Sequence, residues 1–139
     1  MKSFAILVLT LLISCAHTPS SKVVFAQLPS PPEGTEEVWL TAGDSGYLVL
    51  DNGCLRIRSI ENGKIHTPYW HSVFELVSNE EVISVRSKLT GNTYPVGTYV
   101  RVGGGVMDET TARQIDPVAA KKCGPPFASA WIAESQPAL

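Results

Sequence analysis

Gly46-Tyr47-Leu48-Val49-Leu50-Asp51-Asn52-Gly53-Cys54-Leu55-Arg56-Ile57-Arg58-Ser59-Ile60 decides the fold of this 139-residue chain. Two apolar runs flank Asn52-Gly53, the pair that most readily adopts the two left-handed conformations of a type I′ turn. In the second run, Leu55 and Ile57 alternate with Arg56 and Arg58. A period of two with one apolar side is the pattern of a half-buried antiparallel strand. The stretch therefore reads as a hairpin of strands 46–51 and 54–60.

Working outward, the same period recurs at 37–40, 72–77, 82–86, 98–102 and 130–133, broken by Glu61-Asn62-Gly63-Lys64, Ser78-Asn79-Glu80 and Thr90-Gly91-Asn92. Phe74 and Leu76 oppose Glu75, and Val100 and Val102 oppose Arg101. Only residues 109–122 have helical character, and Asp116-Pro117 weakens it. Short strands at this density predict an all-β domain: a small antiparallel barrel of the OB type, with a compact β-sandwich as the alternative. Barrel closure is favoured because it removes exposed edges. The hairpin around Gly53-Cys54-Leu55-Arg56 and the later glycine-rich strand end, residues 97–105, resemble uncharacterised small bacterial β-domains, a likeness that implies no activity.

At the N-terminus, Lys2 precedes a ten-residue apolar run, residues 4–13, interrupted only by Thr10. Ten helical residues span about 15 Å, roughly half a bilayer core, so the run reads as an export signal and not as a membrane span. Leu12-Ile13-Ser14-Cys15 resembles the lipobox of bacterial lipoproteins. That resemblance implies cleavage before Cys15 and acylation of Cys15. With Ala16 following, it also implies an outer-membrane address facing the periplasm. The alternative is an ordinary secretory signal cut later, for instance after Val24-Phe25-Ala26.

The expected organisation is a signal peptide over 1–14, a lipidated Cys15 with a Pro/Ser-rich tether over 15–37, and a β-domain over 38–135. The tether holds Pro19, Ser20, Ser21, Pro29, Ser30, Pro31 and Pro32, a semi-flexible composition. Val23-Val24-Phe25 interrupts it, either as a docking strand or as a segment lying against the domain. Loss of residues 1–14 removes only Lys2, taking the formal charge from −2 to −3. No basic cluster is present, and a nucleic-acid partner is not expected.

With Cys15 assigned to lipid, Cys54 and Cys123 remain as a pair in an oxidising compartment. A disulfide between them is expected; two free thiols or a metal site are the alternatives. His66 and His71 alone do not complete a metal-ligand pattern, and neither metal nor cofactor is predicted.

No catalytic residue is predicted. Gly43-Asp44-Ser45-Gly46 resembles the nucleophile loop of chymotrypsin-like proteases, but Tyr47 departs from that pattern and no motif supplies the base. It reads as a turn before a strand. Gly103-Gly104-Gly105 lacks the following helix and Lys of a phosphate loop, and reads as a bulge or barrel corner. The loop 66–71 is richest in ligand-capable groups: His66, Tyr69, Trp70 and His71 form either a stacking platform or a plug for the barrel. Trp39, Trp70 and Trp131 read as core and closure. Cys123-Gly124-Pro125-Pro126 reads as a rigid turn returning the last strand to the Cys54 hairpin.

The functional expectation is a lipid-anchored structural or interaction module without catalysis, contacting an envelope protein or cell-wall polymer. The alternative is an OB-like domain that holds an oligosaccharide or small molecule.

Overall fold

A computed structural model describes residues 22–35, 43–79 and 81–134. The expected signal peptide, Cys15 and the first predicted strand, 37–40 with Trp39, lie outside the described residues. The elements run β1 (Gly43–Asp51), β2 (Cys54–Ser59), β3 (Ile65–Trp70), β4 (Phe74–Ser78), β5 (Ile83–Ser87), β6 (Thr93–Pro95), β7 (Tyr99–Gly103), β8 (Val106–Met107), α1 (Glu109–Ile115), α2 (Pro117–Cys123) and β9 (Phe127–Ile132).

The first sheet has the order β3-β2-β1-β7-β9-β8, and β3 also pairs with β9. Five strands therefore close into a ring, β1-β2-β3-β9-β7, as expected of a small OB-like barrel. All its pairings are antiparallel except β3–β9. Asn52 and Gly53 take φ values of 50° and 74°, and Asp51 lies opposite Cys54, which is the type I′ hairpin of the sequence reading. A second sheet, β4-β5-β6, is inserted between β3 and β7 in the chain.

One apolar core fills the barrel and extends under the inserted sheet: Leu48, Leu55, Ile57, Trp70, Val100 and Val102 pack with Phe74 and Val85. A second core, Ala26, Tyr69, Ala112, Ala119, Ala120 and Phe127, seats the helices on the barrel. Alternation assigned the faces correctly, with Leu55, Ile57, Val100 and Val102 buried while Arg58 and Arg101 are exposed.

Four local expectations need correction. Asp116-Pro117 does not weaken one helix but divides two. The Asp116 side chain accepts from Ala119 N–H at 2.9 Å as the N-cap of α2, and Pro117 occupies the first turn, where its missing N–H costs nothing. Gly43-Asp44-Ser45-Gly46 is not a turn: it is the first half of β1. A Cβ at Gly46 would collide with the Arg58 carbonyl, so that glycine serves close approach of β2. Residues 66–71 are not a loop, because 66–70 belong to β3. Finally, β9 pairs with β3, β7 and β8 and does not return to the Cys54 hairpin; α2 reaches that hairpin instead.

Cys54 and Cys123 form a disulfide with Cα atoms 5.8 Å apart, tying α2 to β2. Val23-Val24-Phe25 docks. Val24 N–H donates to the Gly53 carbonyl at 2.8 Å, Leu55 N–H to the Val24 carbonyl at 3.1 Å, and Trp70 N–H to the Ala26 carbonyl at 2.9 Å. The Phe25 ring stacks on Trp70 at 5.8 Å, so residues 23–28 belong to the folded body.

Candidate functional site

The four side chains expected to share a binding platform go to different places. Tyr69 is fully buried in the helical core, where its hydroxyl donates to the carbonyls of Ala112 at 3.0 Å and Asp116 at 3.2 Å. Burial, helped by the Asp116 charge, raises the phenol above its ordinary pKa. Trp70 is fully buried in the barrel core between Phe25 and Phe74. Neither presents a ring to solvent: Trp70 fills the barrel core, whereas Tyr69 packs between the barrel and the helices. His71 stands just past the strand end, half-buried. Of these four residues, His66 lines an open cavity.

That cavity, about 210 Å³, sits at one mouth of the barrel. The closing strands all contribute to it: Asp44 from β1, Ile57 from β2, His66 and Pro68 from β3, Val102 from β7 and Phe127 with Ala130 from β9. The walls are mostly apolar. Ser129 also lines the cavity, whose ionisable side chains are the pair Asp44–His66, with Nε2 at 3.4 Å from Oδ2. The other carboxylate oxygen, Oδ1, accepts from Ser45 N–H at 2.7 Å and from Ser59 Oγ at 3.1 Å, which fixes the group in place.

Gly103, Gly104 and Gly105 form the cavity's outer lip and answer the choice between phosphate loop and barrel corner. A Cβ at Gly103 would fall inside the Trp131 indole, and one at Gly104 would strike the Ser129 carbonyl. Gly105 N–H donates to Ser129 Oγ at 2.9 Å, and its carbonyl accepts from Ser129 N–H at 2.9 Å. The glycines serve close packing of β7 and β8 against β9, a corner of the barrel.

No family model matches the chain, and neither the search of curated proteins nor that of solved structures finds a match. Among the described residues, no three His, Cys, Asp or Glu side chains are grouped to hold a metal ion, and no helix is long and apolar enough to cross a membrane.

Asp44 escaped the sequence reading as a partner of His66. The two are 22 positions apart and meet because β1 and β3 flank β2. Alternation carried half the signal: Asp44 is in phase with inward-facing Leu48 along β1.

Proposed function

We propose that the chain is an exported, lipid-anchored envelope protein acting as a structural or interaction module, without catalysis of its own, that contacts an envelope protein or wall polymer. Cys15 carries the lipid, and the barrel faces the periplasm from the outer membrane. The observation that supports this most is the Cys54–Cys123 disulfide. Such bonds persist in oxidising compartments, and that is the destination the Leu12-Ile13-Ser14-Cys15 segment addresses. A small stapled barrel on an anchored N-terminus suits a module that presents surface.

Fractionation with palmitate labelling tests the reading. The wild-type chain should label and sediment with membranes, and Cys15→Ala should do neither. A Cys15→Ala protein that still labels, or a wild-type chain found in the cytosol, sinks the proposal.

The barrel-mouth cavity favours a second reading, a binding domain for a small molecule or oligosaccharide. Its volume of about 210 Å³ lies below the roughly 300–1,000 Å³ common for small-molecule sites, so it suits one ring or one side chain. Asp44 and His66 give it one polar wall. Glycan-array binding lost in His66→Ala with the fold intact supports this reading; equal binding dismisses it.

A further inference from the structure

The outer face of the barrel carries an arrangement that neither the cavity nor the anchor uses. Tyr47 lies opposite Tyr99 across β1–β7 and opposite Arg58 across β1–β2. Arg58 in turn lies opposite Ile65 on β3. Side chains opposite one another in a sheet project to the same side, and Leu48, Ile57 and Val100 occupy the other side, inside the barrel. One outward row therefore reads Ile65, Arg58, Tyr47, Tyr99. One step along, Ser45 lies opposite Arg101 and adds a second guanidinium to the same face.

The two tyrosine rings meet edge to face, with centroids 5.7 Å apart and planes at 68°. Even so, Tyr47 remains 45 % exposed and Tyr99 48 % exposed. Arg58 and Arg101 are exposed, and among the described residues neither guanidinium has an ion-pair or hydrogen-bond partner. The neighbouring Arg56 differs: it is held by Asp51 at 3.0 Å and by the Ile65 carbonyl at 3.1 Å. That pairing occupies the Asp51 carboxylate, so among the described residues Arg58 and Arg101 are left without an ion-pair partner on a chain of net charge −2.

Aromatic faces receive the apolar side of a sugar ring, and guanidinium forks receive carboxylate or phosphate in bidentate fashion. The row from Arg58 to Tyr99 crosses two strand spacings, about 10 Å, which is the scale of a disaccharide. We propose that this face binds an anionic glycan, its rings on Tyr47 and Tyr99 and its acidic groups on Arg58 and Arg101. This deepens the interaction-module reading and rests on it for the source of the polymer, though the chemistry of the face does not depend on the anchor. A single-stranded nucleic acid would also stack on aromatic rings, but it calls for a basic groove that tracks the backbone. Two guanidiniums on an acidic chain do not make one.

Calorimetric titration of the full chain tests the assignment with four probes: oligogalacturonate, a phosphorylated mannan oligomer, neutral maltohexaose and oligo(dT). At least one anionic oligosaccharide should bind about tenfold or more tighter than maltohexaose, and Tyr47→Ala with Tyr99→Ala should weaken it about tenfold or more. The ring-preserving pair Tyr47→Phe and Tyr99→Phe should retain binding, which separates loss of stacking from loss of fold. Arg58→Gln with Arg101→Gln should erase the preference for the charged probe. Binding of neither anionic oligosaccharide, or binding unchanged in the alanine pair, or tighter binding of oligo(dT), overturns the proposal. None of these outcomes bears on palmitate labelling, so the anchor reading stands or falls separately.

Discussion

The Tyr94 hydroxyl donates a hydrogen bond of 2.7 Å to Glu134 Oε1, joining the inserted sheet to the chain just past β9. The same carboxylate accepts from Thr90 Oγ1 at 2.7 Å, Ser87 Oγ at 3.0 Å and Asn92 Nδ2 at 3.5 Å. Partial burial alone would raise the Glu134 pKa. The bonds from Thr90, Tyr94, Ser87 and Asn92 outweigh it and hold the carboxyl below its ordinary value.

This clasp makes stability depend on pH in a stated direction. A carboxyl whose pKa is depressed by folding contributes stability above its ordinary value of 4.5, and loses it as pH falls through the lowered one. Glu134→Gln should therefore cost about 1 kcal/mol near neutrality, since the site is partly exposed, and almost nothing once the wild-type carboxyl is protonated. Urea denaturation of both proteins at neutral and acid pH checks it. A cost independent of pH refutes the mechanism.

At the alkaline end, burial chiefly, followed by the Glu134 bond, pushes the Tyr94 pKa up to about 12. A phenol raised by folding contributes stability below its ordinary value of 10.0 and loses it as pH climbs toward about 12. Tyr94→Phe should be less stable than wild type near neutrality by roughly 1 kcal/mol, and the gap should narrow in that alkaline window. Spectrophotometric titration of the phenols supplies the independent check.

Reducing the Cys54–Cys123 bond opens a closure of sequence separation 69. On the chain-entropy account this removes about 4 kcal/mol, a large part of the stability of a domain this size. Guanidinium unfolding with and without reductant should show it, and non-reducing mass spectrometry should find no free thiol at either position.

Tyr69→Phe keeps the ring in the helical core and strips the donor from the carbonyls of Ala112 and Asp116. The expected loss is about 1–3 kcal/mol, several degrees in melting temperature. Glycan binding should not change, because the ring is buried. A variant with native melting and altered binding would return Tyr69 to a ligand role.

Gly103→Ala places a methyl group where the Trp131 indole lies. Overpacking of this kind costs roughly 1–3 kcal/mol. The near-ultraviolet circular dichroism of the indoles should shift along with the melting curve, whereas unaltered melting would contradict the packing of β7 on Trp131.

What the sequence made legible is what local periodicity carries. The β1–β2 hairpin, β4, β5 and β7 follow from alternation and turn chemistry, which need only neighbouring residues. The strand β3 has no legible period because Thr67, Pro68, Tyr69 and Trp70 are all buried, so nothing alternates, and proline is uncommon inside a sheet. That proline is tolerated where the strand changes partner. His66 still pairs with β2, whereas Pro68 lies opposite Ala128 on β9. The two helices were half seen because Asp-Pro can break one helix or begin another. The Glu134 clasp and the Asp44–His66 pair join residues distant in sequence, and no local pattern announces them. In the 66–71 segment, ligand-capable residue types were plain, but their division between two cores depends on which side of β3 each occupies.

The docking of residues 23–28 along the barrel shortens the stretch of chain between Cys15 and the folded body. Between Cys15 and Lys22 lie seven steps of chain, at most about 25 Å when fully drawn out. Under the proposed acylation of Cys15, that reach would hold the barrel within about 25 Å of the lipid headgroups. A polymer bound as proposed would then have to approach the bilayer surface to be caught.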